Sequence, residues 1–117
     1  MKDFRDLKVW QKAHQLALAL YRATATFPRE ELYGLTSQLR RGGCSVASNI
    51  AEGCGRGSEA DFARCLQIAA GAASEVEYQL LLAHDLSMLA PQEYQGLDAQ
   101  TTEVKRMLTS LIQKVKS

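Results

Sequence analysis

Four runs of apolar residues along the chain share one rhythm. Val9, Ala13, Leu16, Leu20, Ala23 and Phe27 step alternately by four and three, which gathers them on one face of a helix. The pattern predicts a first helix over about residues 6–26, stopped by Pro28 because the residue before a proline avoids α geometry. Leu32, Leu35, Leu39, Gly42, Val46 and Ile50 repeat the rhythm. They predict a second helix that begins between Glu31 and Thr36 and runs to Glu52, with Gly53 as its left-handed C-terminal cap. Phe62, Leu66, Ala69, Ala73, Val76, Leu80 and Ala83 define a third. Ser58 suits its N-cap, Glu59 and Asp61 suit its first turn, and it should reach about Ala90, a length of roughly 48 Å. Leu97, Thr101, Val104, Leu108, Leu111 and Val115 mark the fourth. Pro91 fits its first turn, Gly96 allows a start a few residues later, and Lys105, Arg106, Lys114 and Lys116 sit in its second half, where cations suit the helix dipole.

Short connections between such segments predict antiparallel neighbours packed near 20°. The expected fold is an all-α, antiparallel up-down four-helix bundle, one domain over residues 1–117. No stretch of any length alternates as a strand would.

Charge then changes the picture by its absence. Residues 65–74 read Cys-Leu-Gln-Ile-Ala-Ala-Gly-Ala-Ala-Ser, and residues 42–51 read Gly-Gly-Cys-Ser-Val-Ala-Ser-Asn-Ile-Ala. A bundle helix normally shows a polar face to water. Helices uncharged on every side call for cover on every side, and four helices cannot bury the outer faces of two of them. A second copy of the chain can, with Gly42, Gly43, Val46, Ile68, Ala69 and Ala72 as the candidate interface. The alternative is a monomer whose second and third helices pack tightly together.

Composition narrows the class. Hydrophobic residues make up 46% and charged residues 23% of 117, close to the globular average, which excludes a disordered chain. A net charge of +1 is not the basic balance of most nucleic-acid binders. The longest apolar runs are far shorter than the ~20 residues a membrane span needs. The start, Met1-Lys2-Asp3-Phe4-Arg5-Asp6, is charged and has no signal-peptide core behind it, so a cytoplasmic protein without membrane partners is expected. Cys44, Cys54 and Cys65 are three, without a CxxC pair. Free thiols follow, with Cys44 and Cys65 expected to be packed among small apolar residues.

Several constellations carry candidate chemistry. Arg40, Arg41, Arg56 and Arg64 surround the connection between the second and third helices. They offer either a phosphate-contacting patch or ion pairs with Glu52, Glu59, Asp61 or another subunit. Gly53, Gly55 and Gly57 before a helix start can cradle an anion, but they lack the P-loop Lys and the strand it follows, and turn duty also explains them. Arg41, Asn49, Glu52 and Glu75 form a candidate polar network that fixes helix register. Glu52 and Glu75 would serve acid–base chemistry only if they converged. Neither His14 nor His84 has the glutamate three residues earlier that a di-iron bundle needs, and no Ser–His–Asp set is visible. No cofactor, metal or catalytic residue is expected. Trp10 and Tyr33 read as an aromatic lid on the bundle end, and Trp10 between Lys8 and Lys12 as the one candidate for base stacking.

Taken together, these residues resemble a known family. Phe4, Leu7, Val9 and Trp10 open the likeness. Phe27-Pro28, Glu31, Tyr33-Gly34-Leu35 and Gln38-Leu39-Arg40-Arg41 continue it. Ser48-Asn49-Ile50-Ala51-Glu52-Gly53 is its most specific piece, followed by Ile68-Ala69, Gly71, Glu75, Glu77 and Gln79-Leu80. The chain resembles the bacterial four-helix-bundle proteins encoded by intervening sequences of 23S ribosomal RNA genes. It departs from them at Gly42-Gly43, where small alanines are usual, and at Ala47, where a proline commonly stands; the second helix should be straighter for it. The resemblance implies a homo-oligomer, in the manner of a ring of five. It also implies kinship with a basic pentameric accessory protein of diversity-generating retroelements, which works with a reverse transcriptase and nucleic acid.

The expected function is that of a non-enzymatic homo-oligomeric scaffold or adaptor. The alternative is an RNA- or ribosome-associated protein, with RNA or a nucleic-acid enzyme as partner.

Overall fold

A computed structural model describes residues 2–117; Met1, at the head of the charged start, lies outside them. Four helices account for most of the chain: α1 Lys8–Thr24, α2 Leu35–Cys54, α3 Glu59–Asp85 and α4 Pro91–Lys116. Single 3₁₀ turns cover Phe4–Asp6 and Arg29–Glu31, and no strand occurs among the described residues.

Side-chain contacts fix the direction of each helix. Arg40 of α2 reaches Thr24 of α1, Gly43 lies against Leu20 and Ala17, and the Lys2 N–H donates to the Cys54 carbonyl at 3.2 Å. Numbers fall along one helix as they rise along the other, so α1 and α2 run antiparallel. Gly53 faces Phe62 and Cys65 while Gly42 faces Val76 and Gln79, which reverses α3 against α2. Lys105 pairs with Glu77 at 2.7 Å and Tyr94 stacks on His84 at 4.4 Å, which reverses α4 against α3. Lys12 pairs with Glu103 at 3.5 Å, and α1 closes the square against α4.

The core is built from the four stripes. Leu16, Leu20, Leu39, Val46, Ile50, Leu66, Val76, Leu80, Val104 and Leu108 are fully buried. Two threonines join them because their hydroxyls bond back to their own helix: Thr101 donates to the Leu97 carbonyl at 2.8 Å and Thr24 to the Leu20 carbonyl at 2.7 Å. This back-bonding satisfies the hydroxyl proton within the helix; the Thr24 oxygen in addition accepts from Arg40 of α2.

Two helix ends, those of α2 and α3 on their C-terminal side, depart from the expected pattern, while α2 starts inside its expected range. α2 begins at Leu35, where the Glu31 carboxylate accepts the Leu35 N–H at 3.0 Å; Leu32 precedes it and is exposed, as is Tyr33. α2 continues through Gly53, whose φ is not positive. Gly53 is there for space: a Cβ would lie 2.9 Å from both Cys65 Cβ and Phe62 Cδ1. α3 starts as expected, with the Ser58 hydroxyl accepting the Asp61 N–H at 3.1 Å, but ends at Asp85 rather than near Ala90. Ser87 there takes φ 62°, and the Met88 N–H closes the turn on the Ala83 carbonyl at 2.9 Å. At about 1.5 Å a residue α3 is therefore roughly 40 Å long. α4 begins at Pro91 and passes through Gly96 without a break, and α2 is unbroken through Ala47.

Gly53→Ala should destabilise the fold by about 1–3 kcal/mol, as overpacking of a close helix contact does. Thermal unfolding followed by circular dichroism measures this; an unchanged midpoint would mean that α2 and α3 do not approach as closely as described.

Candidate oligomer interface

α2 and α3 part just enough on their outer side to leave a groove of about 520 Å³. Gly42 and Ala72 form its floor, Arg41 and Glu75 its charged banks, and Gln38, Ser45 and Gln79 complete it. The floor is low because Gly42 carries no Cβ; one would lie 2.7 Å from Val76 Cγ2. Neither Arg41 nor Glu75 appears in an ion pair among the described residues. The Gln79 Oε1 is buried there without a hydrogen-bond partner, alone in that among the described side chains. An unmatched buried carbonyl is costly enough that most native structures avoid it.

A second outer surface lies on the other side of α2, against α1. Leu18 and Tyr21 expose 40% and 45% of their surface. The Tyr21 hydroxyl lies 3.7 Å from Cys44 Sγ, and this contact raises the pKa of the Tyr21 phenol, with the nearby thiol as the main cause. Arg40 lies over the Tyr21 ring, 4.8 Å from its centroid. Its Nε donates to Thr24 Oγ1 at 2.8 Å and its Nη2 to the Tyr21 carbonyl at 3.2 Å.

The residues expected to meet another subunit divide. Ile68 is exposed to 48%, and Gly42 is half-buried on the groove floor. Ala72 reaches the groove by one edge. Val46 and Ala69 are fully enclosed by the chain's own core, and Gly43 is buried against α1. These three belong to the interior: a stretch without charge does not reveal which of its sides points inward.

The four arginines do not form one patch. Arg40 and Arg41 lie near the start of α2, and Arg56 lies beyond its end, so roughly 20 Å of helix separates them. Arg40 is engaged with α1, and Arg56 pairs with Glu52 one helical turn away. That carboxylate pushes the Arg56 pKa up. Arg64 is exposed near the start of α3.

The polar network likewise separates. The Asn49 amide turns back on its own helix, to the Ser45 carbonyl at 2.8 Å and the Ser45 hydroxyl at 3.1 Å. Glu52 is held by Arg56, and only Arg41 and Glu75 share the groove. Glu52 stands beside the start of α3 and Glu75 beside Gly42, so the two carboxylates do not converge.

Cys54 and Cys65 are buried and Cys44 is exposed, contrary to its expected place in the core. Burial pushes the Cys54 thiol pKa up. Trp10 stacks on His14 at 4.9 Å and meets the Phe4 edge at 4.8 Å, whereas Tyr33, at 92% exposure, covers nothing. Among the described residues no three His, Cys, Asp or Glu side chains gather as a metal site would need. No helix is long and apolar enough to cross a membrane.

The molecule is thus an all-α bundle with an unpaired groove beside α2 and exposed apolar side chains on α1 (Leu18, Tyr21) and along α3 (Ile68, Tyr78, Leu81). Over residues 5–110 the chain matches the model of the 23S rRNA-intervening sequence protein family, and it belongs to that family. It is similar to the crystal structure of a protein of unknown function from the S23 ribosomal protein family of Bacteroides thetaiotaomicron. The two are 27% identical, with a TM-score of 0.83 over 90% of this chain and 95% of that one. No curated protein matches the chain.

Proposed function

We propose that the protein is a non-enzymatic homo-oligomeric scaffold, its copies joined largely through α2 and α3, and that the assembly presents a surface to another macromolecule. One observation carries this reading. Within the two uncharged stretches, the side chains that reach the surface are Cys44, Ser48, Gln67, Ile68 and Ser74, with Ser45 half-buried beside them. The single chain leaves them open, although none has the charge that an outer helical face normally carries. Among the described residues the ion pairs lie elsewhere: at the end of the bundle where α2 meets α3 (Lys2–Glu59, Arg56–Glu52), against α4 (Lys12–Glu103, Lys105–Glu77), and locally in the N-terminal turn (Arg5–Asp3) and at the end of α3 (His84–Asp85). Family membership adds a ring of five as the arrangement to expect.

The chain mass is 12.9 kDa, and light scattering at micromolar concentration should give a multiple of it, five on the family's pattern. A mass equal to one chain would remove the reading.

The separation of the arginines favours assembly over RNA binding. Affinity for phosphate chains grows with the number of cations brought to one strand and falls steeply with salt. Two of the four arginines are already engaged inside the chain. Electrophoretic mobility of a structured RNA should therefore be unchanged by the protein, even in low salt. A salt-dependent shift abolished by Arg41→Ala or Arg64→Ala would instead establish the RNA-binding alternative.

A further inference from the structure

The two surfaces beside α2 differ in what they offer, and the difference is complementary. The α2–α3 groove holds two acceptors without partners, the Gln79 Oε1 and the Glu75 carboxylate. The α1–α2 face presents donors. The Tyr21 hydroxyl has only a thiol at 3.7 Å. The Arg40 guanidinium uses two of its N–H groups on α1 and has five in all. Around them lie the exposed Leu18 and Cys44 and the half-buried Ala47. Beside the groove lies the exposed Ile68, one turn before Ala72 on the same side of α3.

Resting on the oligomer proposed above, the geometry points to a head-to-tail contact in which the α1–α2 face of one copy seats in the α2–α3 groove of the next, with Tyr21 and Arg40 donating to Gln79 and Glu75. The partner copy brings donors to two acceptors that the groove's own Arg41 does not engage within the single chain. Two unlike surfaces on one subunit make a heterologous contact, which yields a ring where the rotation closes. The surfaces are adjacent sides of a four-cornered bundle and share α2. Each docking step therefore turns the direction of growth sharply, and α2 faces the ring axis.

The test uses one variant on each face, both at exposed positions. Tyr21→Glu places a carboxylate against the acceptors, and Glu75→Arg places a cation against Arg40. Each variant alone should be monomeric by native mass spectrometry while keeping the wild-type circular dichroism spectrum. Mixed in equal amounts, they should associate again, first through the intact face that each retains; the two altered faces carry opposite charges and can pair as well, so a heterodimer or a larger assembly supports the contact. Cys44 provides a second readout: its reaction with a thiol reagent should be at least tenfold faster in the monomeric Glu75→Arg protein than in the wild type. Single variants that keep the wild-type mass, or a mixture that stays monomeric, would overturn this contact and leave the oligomer standing. A monomeric wild type would remove the oligomer itself.

Discussion

Gly42 and Gly53 on α2 let α3 lie so near that a methyl group at either position would collide, with Val76 in one case and with Phe62 and Cys65 in the other. This close approach governs the rest of the structure. It brings the two backbones together along most of α2, and the seam needs only small side chains at its floor. Residues one step out from the seam then stand as banks on either side, which is how Arg41 and Glu75 come to flank a groove with Ala72 at its base. It also leaves the Gln79 carbonyl beneath the surface without a hydrogen-bond partner.

Ion pairs across helices join α4 to its neighbours, whereas the charged groups of the α2–α3 groove have no ion-pair partner among the described residues. α4 is tied to α1 by Lys12–Glu103 and to α3 by Glu77–Lys105. Around α2 the surface carries thiol, hydroxyl, amide and aliphatic groups together with Arg41 and Glu75, neither of which has an ion-pair partner among the described residues. Pairs at a bundle surface contribute little to stability; their value here lies in marking which sides are suited to water. The reading of the protein as a scaffold follows from that asymmetry.

The alternation of fours and threes was sufficient to place all four helices and nearly the whole core, because burial on one face of a helix imposes that rhythm on the chain. It was insufficient wherever two physical demands use the same residue type. Gly53 read as a cap, since glycine tolerates left-handed backbone, but the same absence of a Cβ serves close packing, and only the position of Phe62 and Cys65 distinguishes the two. Ser87 carries the left-handed turn that a glycine usually takes, so nothing in its identity announced the end of α3. Val46 and Ala69 lay in stretches without charge and read as interface, though they also stood in the apolar stripes that made them core. The arginines looked clustered because sequence proximity to a loop hides the length of the helix that separates them. Of the candidate site, the uncharged stretches were legible. The groove and its unmatched carbonyl were not, since they depend on which side chains of two helices face each other.

Assembly as proposed covers the outer surfaces beside α2 in the native protein. Hydroxyl-radical footprinting with mass-spectrometric readout measures this residue by residue on the wild-type protein. Leu18, Tyr21 and Ile68 should be strongly protected, with Tyr33 labelled at the rate of a free tyrosine. Labelling of Leu18, Tyr21 and Ile68 in proportion to their 40%, 45% and 48% exposure in the single chain would contradict it.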